Sequence, residues 1–117
     1  MNTLPAEGAE LAKTICEHVK TLNQEETHKI ILGVPFTHID RVVNAIDLKF
    51  VKVSAQDCAM YDSGTYTGEV SAKMIKSINC EYAIIGHSER RQYFGDTDEV
   101  IAKKLEMCYT SDLYPIL

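Results

Sequence analysis

The stretch Tyr82-Ala83-Ile84-Ile85-Gly86-His87-Ser88-Glu89-Arg90-Arg91 decides how this chain is read. Its first four residues read as a short apolar strand, Gly86 closes it, and a helical turn begins at His87. A histidine at the carboxyl end of a parallel strand, just before a helical turn, stands where α/β folds place their chemistry. Backbone N–H groups at the start of such a turn disfavour the imidazolium and keep the ring neutral. A neutral imidazole held this way can donate an N–H to a carbonyl or enediolate oxygen. On chemistry alone a plainer reading stays open, because a histidine at a strand end is more often a satisfied structural residue. Glu89, Arg90 and Arg91 likewise read as an ordinary surface ion-pair cluster.

Outward from that stretch the chain alternates helix-like and strand-like segments, the pattern of a parallel α/β fold. Leu11, Ala12, Ile15, Cys16, Val19 and Leu22 recur at helical spacing. Pro5 suits the first turn of that helix and Glu7 and Glu10 suit its positive end, while Gly8 weakens the start. Lys29 to Val34 reads as a strand buried on both faces and stopped by Pro35. A helix capped at Thr37 follows, with Asp40 three residues on and Ile39, Val42, Val43 and Ile46 as its apolar stripe. Phe50 to Ala55 reads as the next strand, and Gln56 to Gly68 as a loop long enough to carry function. Ser71 can cap a helix through Ile78, with Ala72, Ile75 and Ile78 facing inward. Beyond the histidine, Asp96 with Glu99 reads as a capping box for a helix to about Tyr109, and Tyr114 to Leu117 as the opening of a further strand. Periodicity of this kind fits both doubly wound sheets and closed (β/α)8 barrels.

Composition narrows the function classes. With 117 residues, 45% of them apolar, the chain suits one domain with a core. A formal net charge of −5 and the lack of long basic runs argue against nucleic-acid binding. No apolar run approaches the roughly 20 residues needed to span a bilayer, and Met1-Asn2-Thr3 leads into a polar, acidic segment without a signal-peptide pattern. These features point to a cytosolic protein with no membrane partner. Cys16, Cys58, Cys80 and Cys108 include no C-x-x-C pair and lie in or beside apolar stretches, so they read as reduced, mostly buried thiols. No strand is followed by G-x-G-x-x-G, and no G-x-x-x-x-G-K-[ST] occurs, which removes the main support for nucleotide binding.

Ile84 to Arg91, followed by Phe94-Gly95-Asp96-Thr97-Asp98-Glu99, closely resembles the triosephosphate isomerase signature around its catalytic histidine. Upstream, Ala55-Gln56-Asp57-Cys58 resembles the end of that family's third barrel strand, and Tyr66 to Ser71 resembles its protruding dimer loop. Downstream, Leu113 to Leu117 resembles the approach to its fifth strand. The resemblance implies a partial TIM (β/α)8 barrel over residues 1–117, holding strands two to four and the start of strand five and incomplete at both ends. It implies an aldose–ketose isomerase that interconverts dihydroxyacetone phosphate and glyceraldehyde 3-phosphate, a cytoplasmic homodimer working without metal or other cofactor.

By the same resemblance His87 is the electrophile that polarises the substrate carbonyl, a well-known example of a histidine held neutral by a helix N-terminus. Glu89 matches a supporting glutamate beside the site, and Ser88 a residue that helps cap the turn. Arg90 and Arg91 match arginines that hold the surrounding loops. Thr67, Gly68 and Glu69 match the loop that enters the neighbouring subunit, with Gln56 near the same contact. Met1-Asn2 match the residues just after the family's substrate-binding lysine. No counterpart of the carboxylate base, the mobile lid or the phosphate-gripping loops is found among the 117 residues, so the chain alone is expected to be inactive. It is also expected to expose two sheet edges and to self-associate. A different reading makes it a non-catalytic fragment that docks on a full-length isomerase subunit through the 56–71 loop. An unrelated α/β binding module is a third.

Overall fold

A computed structural model describes residues 2–22 and 30–117. Its elements run α1 (Pro5–Thr21), β1 (Ile30–Val34), α2 (Phe36–Ala45), β2 (Val51–Ala55), α3 (Ala72–Ser77), β3 (Tyr82–Ile84), α4 (Ser88–Phe94), α5 (Asp98–Thr110) and β4 (Tyr114–Ile116). All strand pairs are parallel, and the order across the sheet is β1-β2-β3-β4. Each crossover therefore steps to the next position in the same direction. A doubly wound sheet reverses its order at a switch point, and this sheet has none. The architecture is α/β, an open arc of the kind a partial TIM barrel presents.

The register assigns the two faces. Ala55 pairs with Val34 and Ala83, so Val51, Val53, Ala55, Ala83 and the following Ile85 share the face covered by helices. There they pack with Ile39, Val42 and Val43 of α2, Ile75 of α3, and Ile101 and Cys108 of α5. The other face carries Ile31, Lys52, Ser54, Tyr82, Ile84, Tyr114 and Ile116. Tyr114 and Ile116 are exposed on it. Among the described residues β1 and β4 each have one unpaired edge. No helix there is long and apolar enough to cross a membrane.

Several local expectations are corrected. β1 is half-buried with Gly33 exposed, not buried on both faces, because it pairs on one side only. Lys29 lies outside the described residues. Helix α2 starts at Phe36 with Pro35 in the cap position, so Thr37 lies inside the helix. The Thr37 hydroxyl instead lies 3.0 Å from His38 Nδ1. Helix α5 is capped by Thr97, whose side chain accepts from Val100 N–H, because the Asp96 carboxylate is engaged elsewhere. Leu11 and Leu22 are exposed, and α1 buries Ala9, Ala12 and Cys16. Gly8 has a packing reason: a Cβ there would lie 2.6 Å from the His38 ring. The expected Ser71 cap is present, its hydroxyl accepting from Met74 N–H at 3.3 Å.

Candidate active site

Parallel strands bring their carboxyl ends to one edge of the sheet, where Gln56 follows β2 and Gly86-His87 follow β3. Gly86 has φ +75, a left-handed turn that redirects the chain at the strand end. A Cβ there would also press on Ile101 at 3.1 Å. His87 then caps α4 with its own side chain, Nδ1 accepting the Glu89 backbone N–H at 3.2 Å. The cap thus belongs to His87 and not to Ser88, which is the first residue of the helix. The His87 carbonyl accepts from Arg90 N–H at 2.9 Å and Arg91 N–H at 3.1 Å. A ring nitrogen that accepts carries no proton, so the neutral ring bears its proton on Nε2. The imidazole is half-exposed, and among the described residues no hydrogen bond to Nε2 is found.

Glu89 also lies beside the ring, with Oε2 3.7 Å from Nδ1. That separation is too long for a hydrogen bond, and Nδ1 already uses its lone pair on the backbone. The contact gains electrostatic weight only when the ring is protonated. From the other side Arg91 fixes the turn, Nε donating to the Gly86 carbonyl at 3.0 Å and a guanidinium nitrogen reaching Asp98 at 2.7 Å.

Beneath the turn lies a cluster that sequence reading missed. Arg90 Nε stands 3.0 Å from both Asp57 Oδ2 and Asp96 Oδ2. Lys104 Nζ reaches Asp57 Oδ1 and Asp96 Oδ2, each at 2.8 Å. Two cations and two carboxylates alternate, so the charges balance and each acid has two partners. Burial pushes the Asp96 carboxyl up, but the bonds from Lys104 and Arg90 outweigh it and hold it below its ordinary value. Arg90 is accordingly a part-buried tie, not a surface residue. The signal was available in α5, where Ile101, Lys104 and Cys108 share the buried stripe. A lysine on such a stripe requires carboxylate partners.

The 56–71 segment forms an ordered protrusion. Ala59 N–H to the Val70 carbonyl at 2.9 Å closes its base, and Tyr61 and Tyr66 stack at 3.8 Å. Thr67, Gly68 and Glu69 are exposed, on the returning side of the loop just before Val70, and Gly68 has φ +94. Gln56 sits at the foot, Nε2 donating to the Gly33 carbonyl at 3.3 Å. A hollow of about 440 Å³ lies between the loop and α4–α5, lined in part by Tyr66, Thr67, Arg90, Phe94 and Lys104. The structure thus joins His87 to Glu89, and keeps Thr67, Gly68 and Glu69 together on the separate protrusion. Among the described residues, no three His, Cys, Asp or Glu side chains gather in a way that could hold a metal ion.

Comparison with known proteins gives a single family. A family model described as triosephosphate isomerase matches residues 1–117. A protein named triosephosphate isomerase from Moorella thermoacetica is 48% identical over 89 residues, 76% of this chain and 36% of that protein. Proteins of the same name from Porphyromonas gingivalis and Bacteroides fragilis are 41% and 40% identical, each over 99% of this chain and 45% of their own length. The chain spans less than half the length of these curated relatives.

Proposed function

The chain belongs to the triosephosphate isomerase family, and from that premise we propose that it forms part of an enzyme interconverting dihydroxyacetone phosphate and glyceraldehyde 3-phosphate in glycolysis and gluconeogenesis. In this reading His87 is the electrophile: its Nε2–H donates to the substrate carbonyl and then to the enediolate oxygens as charge develops. The observation that carries it is the backbone bond to Nδ1 at 3.2 Å, which leaves Nε2 as the donor. Glu89 supports the turn and lends negative charge beside the ring. No metal or other cofactor takes part. The 117 residues act as part of a barrel domain, and proton abstraction needs a base with no counterpart among them. The chain alone is therefore expected to be inactive. The protein works in the cytoplasm as a homodimer, with Thr67, Gly68 and Glu69 entering the neighbouring subunit and Gln56 near the contact.

The test is turnover of dihydroxyacetone phosphate by the natural gene product that contains this sequence. His87→Ala there should lower kcat by about 10²–10⁴ with a smaller change in KM. Unchanged turnover would sink the assignment. A second reading is favoured by the exposed loop, whose Asp62 is held by Lys73 of α3 at 2.6 Å. Here the chain docks through residues 56–71 on a full-length isomerase subunit without catalysis. Co-expression with such a subunit and a pull-down tests it, and failure of Thr67→Arg to weaken retention would exclude the loop.

A further inference from the structure

The four cysteines divide into two kinds. Cys16 and Cys80 turn toward backbone carbonyls, of Asp47 and of Val53 and Tyr82 respectively. Cys58 also reaches a backbone carbonyl, that of Lys104 at 3.9 Å, but it and Cys108 in addition face each other, with their sulfurs 3.7 Å apart. Both are buried, and 50 residues separate them in sequence. A disulfide is about 2.05 Å long, so about 1.6 Å of approach would join them.

The pair occupies a particular place. Cys58 follows Asp57 at the foot of the protruding loop, and Cys108 lies one helical turn beyond Lys104 on α5. A covalent bond here would therefore join the same two segments as the Lys104–Asp57 ion pair, at 2.8 Å. Cys58 is next in sequence to Ala59, whose N–H closes the loop base.

We propose that Cys58 and Cys108 form a redox staple: a disulfide made by hydrogen peroxide and reversed by a dithiol, which fixes α5 to the foot of the 56–71 loop. In the first step Cys108 sulfur attacks one peroxide oxygen and the O–O bond breaks, giving a sulfenic acid and, once protonated, water. Cys58 sulfur then attacks the sulfenic sulfur, the S–S bond forms, and the hydroxyl leaves with the Cys58 proton as a second water. Two thiols are oxidised and one peroxide is reduced. Either sulfur can donate in the hydrogen bond between them, so the same two steps balance with the cysteines exchanged. Peroxide is close to water in size and reaches the pair when the loop base opens. Closing a 50-residue loop stabilises the oxidised chain by restricting its unfolded state.

The experiment treats the natural gene product that contains this sequence with hydrogen peroxide, once in native buffer and once in urea. Thiols are then blocked, and intact mass and peptide maps are recorded. The native sample is expected to lose two hydrogens in mass and to yield a Cys58–Cys108 peptide, with thermal melting raised by more than about 5 °C. Dithiothreitol should restore both, and the Cys108→Ala chain should show neither change. Free Cys58 and Cys108 thiols after native treatment, or the same mixture of pairs as in urea, would overturn the proposal. So would a mapped Cys58–Cys108 bond that leaves the melt unchanged.

Discussion

His87 and Arg90, which enters a cluster with Asp57, Asp96 and Lys104, lie three residues apart in sequence yet are held in opposite ways. The imidazole is half-exposed and fixed through one ring nitrogen by one backbone N–H. The cluster is tied by four contacts of 3.0 Å or less, and the Lys104 and Asp96 side chains are only 5% and 6% exposed. The contrast separates two tasks. Side-chain charges that are largely buried tie α4 through Arg90, and a backbone N–H then orients the histidine through Nδ1. A buried pair is strongly destabilised when one partner is removed, whereas a half-exposed ring is not.

Breaking the buried side should therefore have the largest effect. Lys104→Met leaves two buried carboxylates with Arg90 alone and should cost about 3–5 kcal/mol of stability. Urea unfolding checks this, and an unchanged midpoint would show that the cluster does not hold the fold. Gly86→Ala attacks the hinge between the two regions. The left-handed backbone at φ +75 should make it roughly 1–2 kcal/mol destabilising, with crowding at Ile101 added. A change near zero would mean that the turn relaxes.

Acid gives a smaller and graded effect. The folded-state value of Asp96 lies below its ordinary value of 3.8, so its contribution is fully present above that pH. It is lost as pH falls through the depressed value. Melting temperature should drop below about pH 4, and Asp96→Asn should flatten that part of the profile. An equally steep profile in Asp96→Asn would assign the acid sensitivity to other carboxylates.

The sequence made the alternation of helices and strands legible because apolar spacing is local information. Val51 to Ala55 and Ile39, Val42 and Val43 followed directly from it. Cap positions were less legible, since Thr37 and Asp96 have side chains suited to capping that the fold uses otherwise. Thr37 turns to His38, and Asp96 turns inward to Lys104. Such choices depend on neighbours distant in sequence. The same limit hid the cluster: Asp57 and Lys104 are 47 residues apart, and only the inward stripe of α5 hinted that the lysine is buried. The histidine motif was legible because the strand, the turn and the helix start are contiguous there. The bond from Glu89 N–H to Nδ1, which selects the ring nitrogen left to donate, came from the structure.

That selection is the center of the functional reading, and nitrogen-15 NMR of the His87 ring tests it most directly. Spectra of wild type and of His87→Gln, compared to assign the signal, should show the Nε2–H tautomer, with the lone pair on Nδ1. The Nδ1–H tautomer would break the bond from Glu89 N–H and leave Nε2 unable to donate, contradicting the role proposed for His87.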